Sequence, residues 1–77
     1  MKDILQYIIK AIVDNPDKVD VAEEENEGVL NLNVTLAKED MGKVIGKNGK
    51  VIKSIRNVMK IPAIKENKKI FINLSEA

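Results

Sequence analysis

The 77-residue chain has no cysteine, no histidine and no tryptophan. Without thiols or imidazoles it can build no disulfide, no Cys/His zinc site and no nucleophile–imidazole pair of the protease kind. Its aromatic side chains are Tyr7 and Phe71 alone. That is too few for the paired sheet aromatics of an RRM and for most OB-type stacking platforms, and both are expected to serve in packing. No stretch approaches the ~20 apolar residues of a membrane span. The opening MKDILQYIIKAIVDN is interrupted by Asp3, Lys10 and Asp14 and is followed by no small-residue cleavage site, unlike a signal peptide. A soluble, cytoplasmic protein with no membrane partner is expected.

A chain of this length makes one domain, residues 1–77, and hides only roughly 60% of the surface its unfolded form exposes. An enclosing catalytic cleft is hard to build at that size, whereas one exposed groove is not. The balance favours a binding module over an enzyme, with no cofactor or metal.

Net charge is +1, but the charges are sorted along the chain. From Asp14 to Glu27 there are seven acids and one lysine; from Met41 to Lys65 there are seven bases and no acid. Sorting of this kind makes one pole of a domain positive, as in nucleic-acid binders, although charge runs are often only solvated surface.

Ile4, Leu5, Ile8, Ile9, Ile12 and Val13 recur at helical spacing, predicting an amphipathic helix over 2–14 that Asn15-Pro16 terminates. Val19 and Val21 suggest a short strand, and Glu23 to Gly28 an acidic, solvated turn. Leu30, Leu32, Val34 and Leu36 alternate with Asn31, Asn33 and Thr35, the clearest strand of the chain. A short helix follows through Lys38 to Val44, then a glycine loop, then a helix starting near Asn48 to Lys50. That last helix carries Val51, Ile52, Ile55, Val58 and Met59 on one side and Lys53, Arg56 and Lys60 on another. Pro62 is expected to close it. Lys69 to Leu74 form a final strand with Ile70, Ile72 and Leu74 inward. The order α-β-β-α-α-β implies an α+β fold of two layers, three helices on one face of a three-stranded sheet.

Two of the four glycines, Gly46 and Gly49, stand three apart between the two later helices. A nucleotide P-loop needs four residues between its first glycine and Gly-Lys, then Ser or Thr. Gly42 to Gly46-Lys47 has one too few, and Asn48 stands where the hydroxyl belongs. A dinucleotide fingerprint lacks its third glycine. A purely structural turn would account for the glycines through positive φ. It would not account for Lys43, Lys47, Lys50 and Lys53 around them. A loop that lets a sugar-phosphate backbone approach the main chain, at the positive end of a helix, accounts for both.

The stretch Asp40-Met41-Gly42-Lys43-Val44-Ile45-Gly46-Lys47-Asn48-Gly49-Lys50-Val51-Ile52 resembles the signature of the KH domain, and the element order resembles its type II version. The likeness to stand-alone bacterial KH proteins runs over nearly the whole chain. It implies a mixed three-stranded sheet and a loop, Gly46, Lys47, Asn48 and Gly49, that grips single-stranded RNA. Ile45 and Ile52 would contribute to the base groove, while Lys43, Lys50, Lys53 and Arg56 would line its basic margin. Val34 and Leu36 are candidates for its far wall, with a core role as their default. The resemblance further implies self-association and pairing with a larger KH-containing RNA-binding protein, in RNA regulation or chaperoning linked to cell growth and division.

Ile61 and Ile64 fall off the apolar side of their helix. With Met59 they are the candidate interface, either for a homodimer or for a protein-protein adaptor that reuses the KH shape. Single-stranded DNA is a second possible ligand.

Overall fold

In the computed structural model, which describes residues 1–77, the elements are α1 (Lys2–Ile12), β1 (Asp20–Asn26), β2 (Val29–Leu36), α2 (Met41–Ile45), α3 (Lys50–Lys65) and β3 (Lys69–Glu76). The expected α-β-β-α-α-β order holds. The strands run β1-β2-β3, with β1 antiparallel and β3 parallel to β2, a mixed sheet with three helices on one face.

The central strand follows from its own alternation. Leu30, Leu32, Val34 and Leu36 are fully buried while Val29, Asn31, Asn33 and Thr35 stay half-exposed. Each such aliphatic side chain contributes about 1.5–3 kcal/mol on leaving water, which sets the register of both neighbouring strands. Leu5 and Ile9 of α1 and Ile52, Ile55 and Met59 of α3 close the core from above.

Two expectations about boundaries are corrected. The acidic stretch is not a turn: β1 continues through Glu23, Glu24 and Glu25 to Asn26, paired residue by residue with β2. Backbone hydrogen bonds hold it extended, and its charges suit an edge strand that must not pair with another chain. The turn itself is only Glu27 and Gly28, at φ 51° and 79°, the positive values that a two-residue hairpin demands.

Nor does Pro62 close α3, which runs on to Lys65. The ring deprives the Val58 carbonyl of its helical partner. Val58 lies on the exposed side of the helix, where water can replace that bond, while Met59 and Ala63 remain packed below.

Candidate nucleic-acid interface

The loop is built by backbone conformations that only glycine adopts cheaply. Helix α2 ends where the Gly46 N–H donates to the Gly42 carbonyl at 2.8 Å. Gly46 itself sits at φ 76°, ψ 173°, a region essentially reserved for glycine. A Cβ there would overlap the Val51 side chain and lie 2.9 Å from the Val51 nitrogen. Asn48 (φ 56°, ψ 26°) and Gly49 (φ 74°, ψ 16°) follow in left-handed conformations. The conformational role of both glycines is therefore real. Around Gly49, however, a Cβ would meet nothing within 4 Å, so the outer side of the loop is open. No side chain caps the N-terminus of α3, which leaves amides and the positive dipole end facing that opening.

The charges beside the loop are of two kinds. Lys47, Lys50, Lys53 and Arg56 are exposed and have no acidic partner. From Lys50, the spacing of three runs the last three along one side of α3. Lys43 differs: its ammonium is paired with the Asp14 carboxylate. The hydrogen bond from Lys43 to Asp14 pushes its pKa up, against the effect of burial, and its charge is largely spent there.

Between α3 and the free edge of β3 runs a cleft of about 330 Å³, lined by Arg56, Lys60, Ile70, Phe71, Ile72 and Asn73. Its far wall is β3. Val34 and Leu36, the candidates from sequence, are sealed in the core. Which strand forms the edge depends on β3 pairing in parallel with β2, a contact no local pattern encodes. One signal was available: with Ile70, Ile72 and Leu74 inward, Phe71 must point out. It is 54% exposed, and Tyr7 is 78% exposed, so neither aromatic has the packing role expected of it.

The remaining candidates separate by burial. Ile45 is exposed beside the loop, whereas Ile52 lies in the core and offers little surface. Met59 is fully enclosed by the chain's own core and presents nothing to a partner, a correction to its place among the interface residues. Ile61 and Ile64 are 60% and 72% exposed.

The family model described as the KhpA/KhpB KH domain matches residues 2–74. The chain belongs to this family. Gly46-Lys47-Asn48-Gly49 lies within the matched residues, between α2 and α3. Curated relatives named RNA-binding protein KhpA are 47% identical in Clostridium acetobutylicum, over 96% of this chain and 99% of the relative. The Chlamydia caviae protein of that name is 41% identical over 99% and 97%, and that of Caldanaerobacter subterraneus subsp. tengcongensis is 40% identical over 96% and 99%. The kind of protein is non-enzymatic. No helix is long and apolar enough to cross a membrane.

In this KH domain the residue before α2, Asp40, is the one buried charged group. It accepts hydrogen bonds from the N–H of Asp14 (3.1 Å), the N–H of Asn15 (3.0 Å) and the Asn15 side-chain amide (3.1 Å). The end of α1 is thereby fastened to the start of α2. Burial pushes the Asp40 pKa up, but the Asp14 and Asn15 donors, with Lys43 nearby, outweigh it and hold the carboxyl below its ordinary value. Stability from this lowered pKa is fully present above the unfolded value of 3.8 and is lost as pH falls through the folded one. Asp40→Asn turns an acceptor into a donor facing other donors. A fall in Tm of roughly 5–15 °C at pH 7 is expected, read by circular dichroism; an unchanged Tm would show the fastening to be dispensable.

Proposed function

We propose that this chain is a non-enzymatic RNA-binding protein that grips a short single-stranded segment at Gly46, Lys47, Asn48 and Gly49. Bases would then lie along Ile45 and the α3–β3 cleft, with Lys50, Lys53 and Arg56 along the phosphates. The observation that carries this is the row of unpaired cations beside an uncapped helix N-terminus and an open glycine loop. Lys43 contributes less, being paired with Asp14. Ile52 contributes mainly by supporting Ile45 and the loop from the core.

The KH G-x-x-G loop clamps about four nucleotides, so affinity is modest and sequence preference weak. The test is fluorescence anisotropy of a labelled single-stranded RNA titrated at several salt concentrations. With about 2 to 4 phosphates neutralised, the log-log slope is expected near −1.5 to −3; a slope of zero would remove the basic row from the site. A DNA oligonucleotide of the same sequence measures the discrimination of RNA from DNA.

A second reading concerns assembly in the cytoplasm, where a pair of weak grooves gains avidity without new RNA contacts. Ile61 and Ile64 are the exposed apolar residues of α3 that support it, with a second copy or a larger KH-containing RNA-binding protein as partner. RNA regulation or chaperoning tied to cell growth and division is the process the family likeness suggests. Ile61→Glu is expected to leave single-site RNA binding intact and reduce the sedimentation mass to that of a monomer. An unchanged mass would reject Ile61 as the interface.

A further inference from the structure

We infer that the Asn48-Gly49 junction is a site of spontaneous covalent change, in which the Asn48 amide becomes a carboxylate and the loop loses its hold on RNA, and that bound RNA holds this change off. The chemistry belongs to the loop itself. Its consequence rests on the RNA-binding reading above and gives that site a form of regulation.

The junction is unique in the chain. Asn48 is followed by glycine, whereas every other asparagine is followed by proline or by a residue whose side chain shields its own amide. The reaction consumes only water. The Gly49 nitrogen, having given up its proton, attacks the Asn48 side-chain carbonyl carbon. A C–N bond forms, a five-membered imide closes, and the side-chain nitrogen leaves as ammonia. Water then opens the ring at either carbonyl, giving aspartate or isoaspartate, in which the main chain runs through the side-chain carbon. Nothing is oxidised or reduced.

The structure supplies both the access and the brake. Asn48 is exposed at the loop tip and its side chain makes no hydrogen bond within the chain. No atom lies within 4 Å of where a Gly49 Cβ would stand, so the junction is open to water. Against this, the Gly49 N–H donates to the Gly46 carbonyl at 3.1 Å. At ψ 26° the Gly49 nitrogen is also turned away from the Asn48 Cβ. Ring closure therefore waits for the loop to open, a local event that costs less than global unfolding. RNA gripped across the loop keeps it closed, so idle copies change and occupied ones are protected.

Either product places a negative charge where the phosphate is to sit, beside Lys47. Isoaspartate also lengthens the backbone of a loop whose shape depends on the dihedrals of Gly46 and Gly49. Asn67 offers an internal comparison. It too is exposed and left-handed, at φ 56°, but Lys68 follows it, and the Lys68 N–H donates to the Ala63 carbonyl at 2.9 Å.

The experiment incubates the intact chain for days at neutral and at mildly alkaline pH, with and without saturating single-stranded RNA. Peptide mass spectrometry locates the amide-to-acid change, and anisotropy after removal of the RNA measures affinity on the same samples. The change should accumulate at Asn48 ahead of Asn67, faster at the higher pH because the deprotonated amide is the nucleophile, and more slowly with RNA present. Affinity should fall by about 10-fold as conversion completes, with circular dichroism unchanged. Asn48→Gln, which would have to close a six-membered ring, should gain no acid at that position and should keep its own starting affinity throughout.

An Asn48 that stays intact, or changes no sooner than Asn67, overturns the inference and leaves the RNA grip standing. A rate that saturating RNA does not slow overturns it as well. Conversion with undiminished affinity also overturns it and takes Asn48 out of the grip. Fresh protein that binds no RNA removes the underlying reading and the regulation with it, while the mass change at Asn48 still reports the chemistry.

Discussion

Replacing Lys47 and Asn48 together by aspartate should weaken binding to single-stranded RNA by about 100-fold, because like charges juxtaposed at a contact cost several kcal/mol. Both residues are exposed at the tip of the loop, and neither side chain makes a hydrogen bond or ion pair within the chain. Asn48 holds a left-handed conformation at φ 56°, which aspartate also tolerates. Both glycines remain, so the loop keeps its shape, and surface changes of this kind shift stability by only about 0.5 kcal/mol. The two effects are read by anisotropy and by thermal melting on the same samples. Equal affinity of wild type and variant would mean that the loop is not where RNA is held.

The second large effect concerns the glycines, which the structure makes unequal. Gly46→Ala forces a side chain into a conformation worth about 1–3 kcal/mol of strain. It also drives a methyl group into Val51, and overpacking of that sort costs another ~1–3 kcal/mol. The sum is a large part of the roughly 4–11 kcal/mol that a domain of this length has in all. Gly49→Ala meets no atom within 4 Å and should cost only the left-handed penalty of about 1–2 kcal/mol. Urea denaturation of the two variants separates them. Equal losses would show that the Gly46–Val51 contact relaxes without consequence.

That inequality marks a limit of the motif in the sequence. Two glycines three apart signal a loop, but not that one is locked by its neighbour while the other opens to solvent. The difference lies in where Val51 falls once α3 has turned back against α2. The lysines show the same limit. Lys43, Lys47, Lys50 and Lys53 look equivalent along the chain, yet Lys43 is bound to Asp14, a residue 29 positions away. Ion pairing is a through-space property, so the unpaired cations can be told from the paired one only after α1 and α2 are placed together by Asp40.

Pattern alone determined the parts of this protein that depend on local periodicity. The alternation from Leu30 to Leu36 defined the central strand. The helical spacing of α1 and α3, the stop at Asn15-Pro16 and the G-x-x-G loop between helices defined the order of elements and their family. Those features follow from dihedral preference and one-sided burial, which act over a few residues.

The tertiary structure decided the rest, because it depends on contacts between distant segments. Backbone pairing with β2 turned an acidic run into an edge strand. An exposed Val58 let α3 pass through Pro62, and close packing took Met59 and most of Ile52 out of reach. The parallel placement of β3 beside β2 brought Ile70 to Asn73 against Arg56 and Lys60, forming a groove from residues that no sequence window contains.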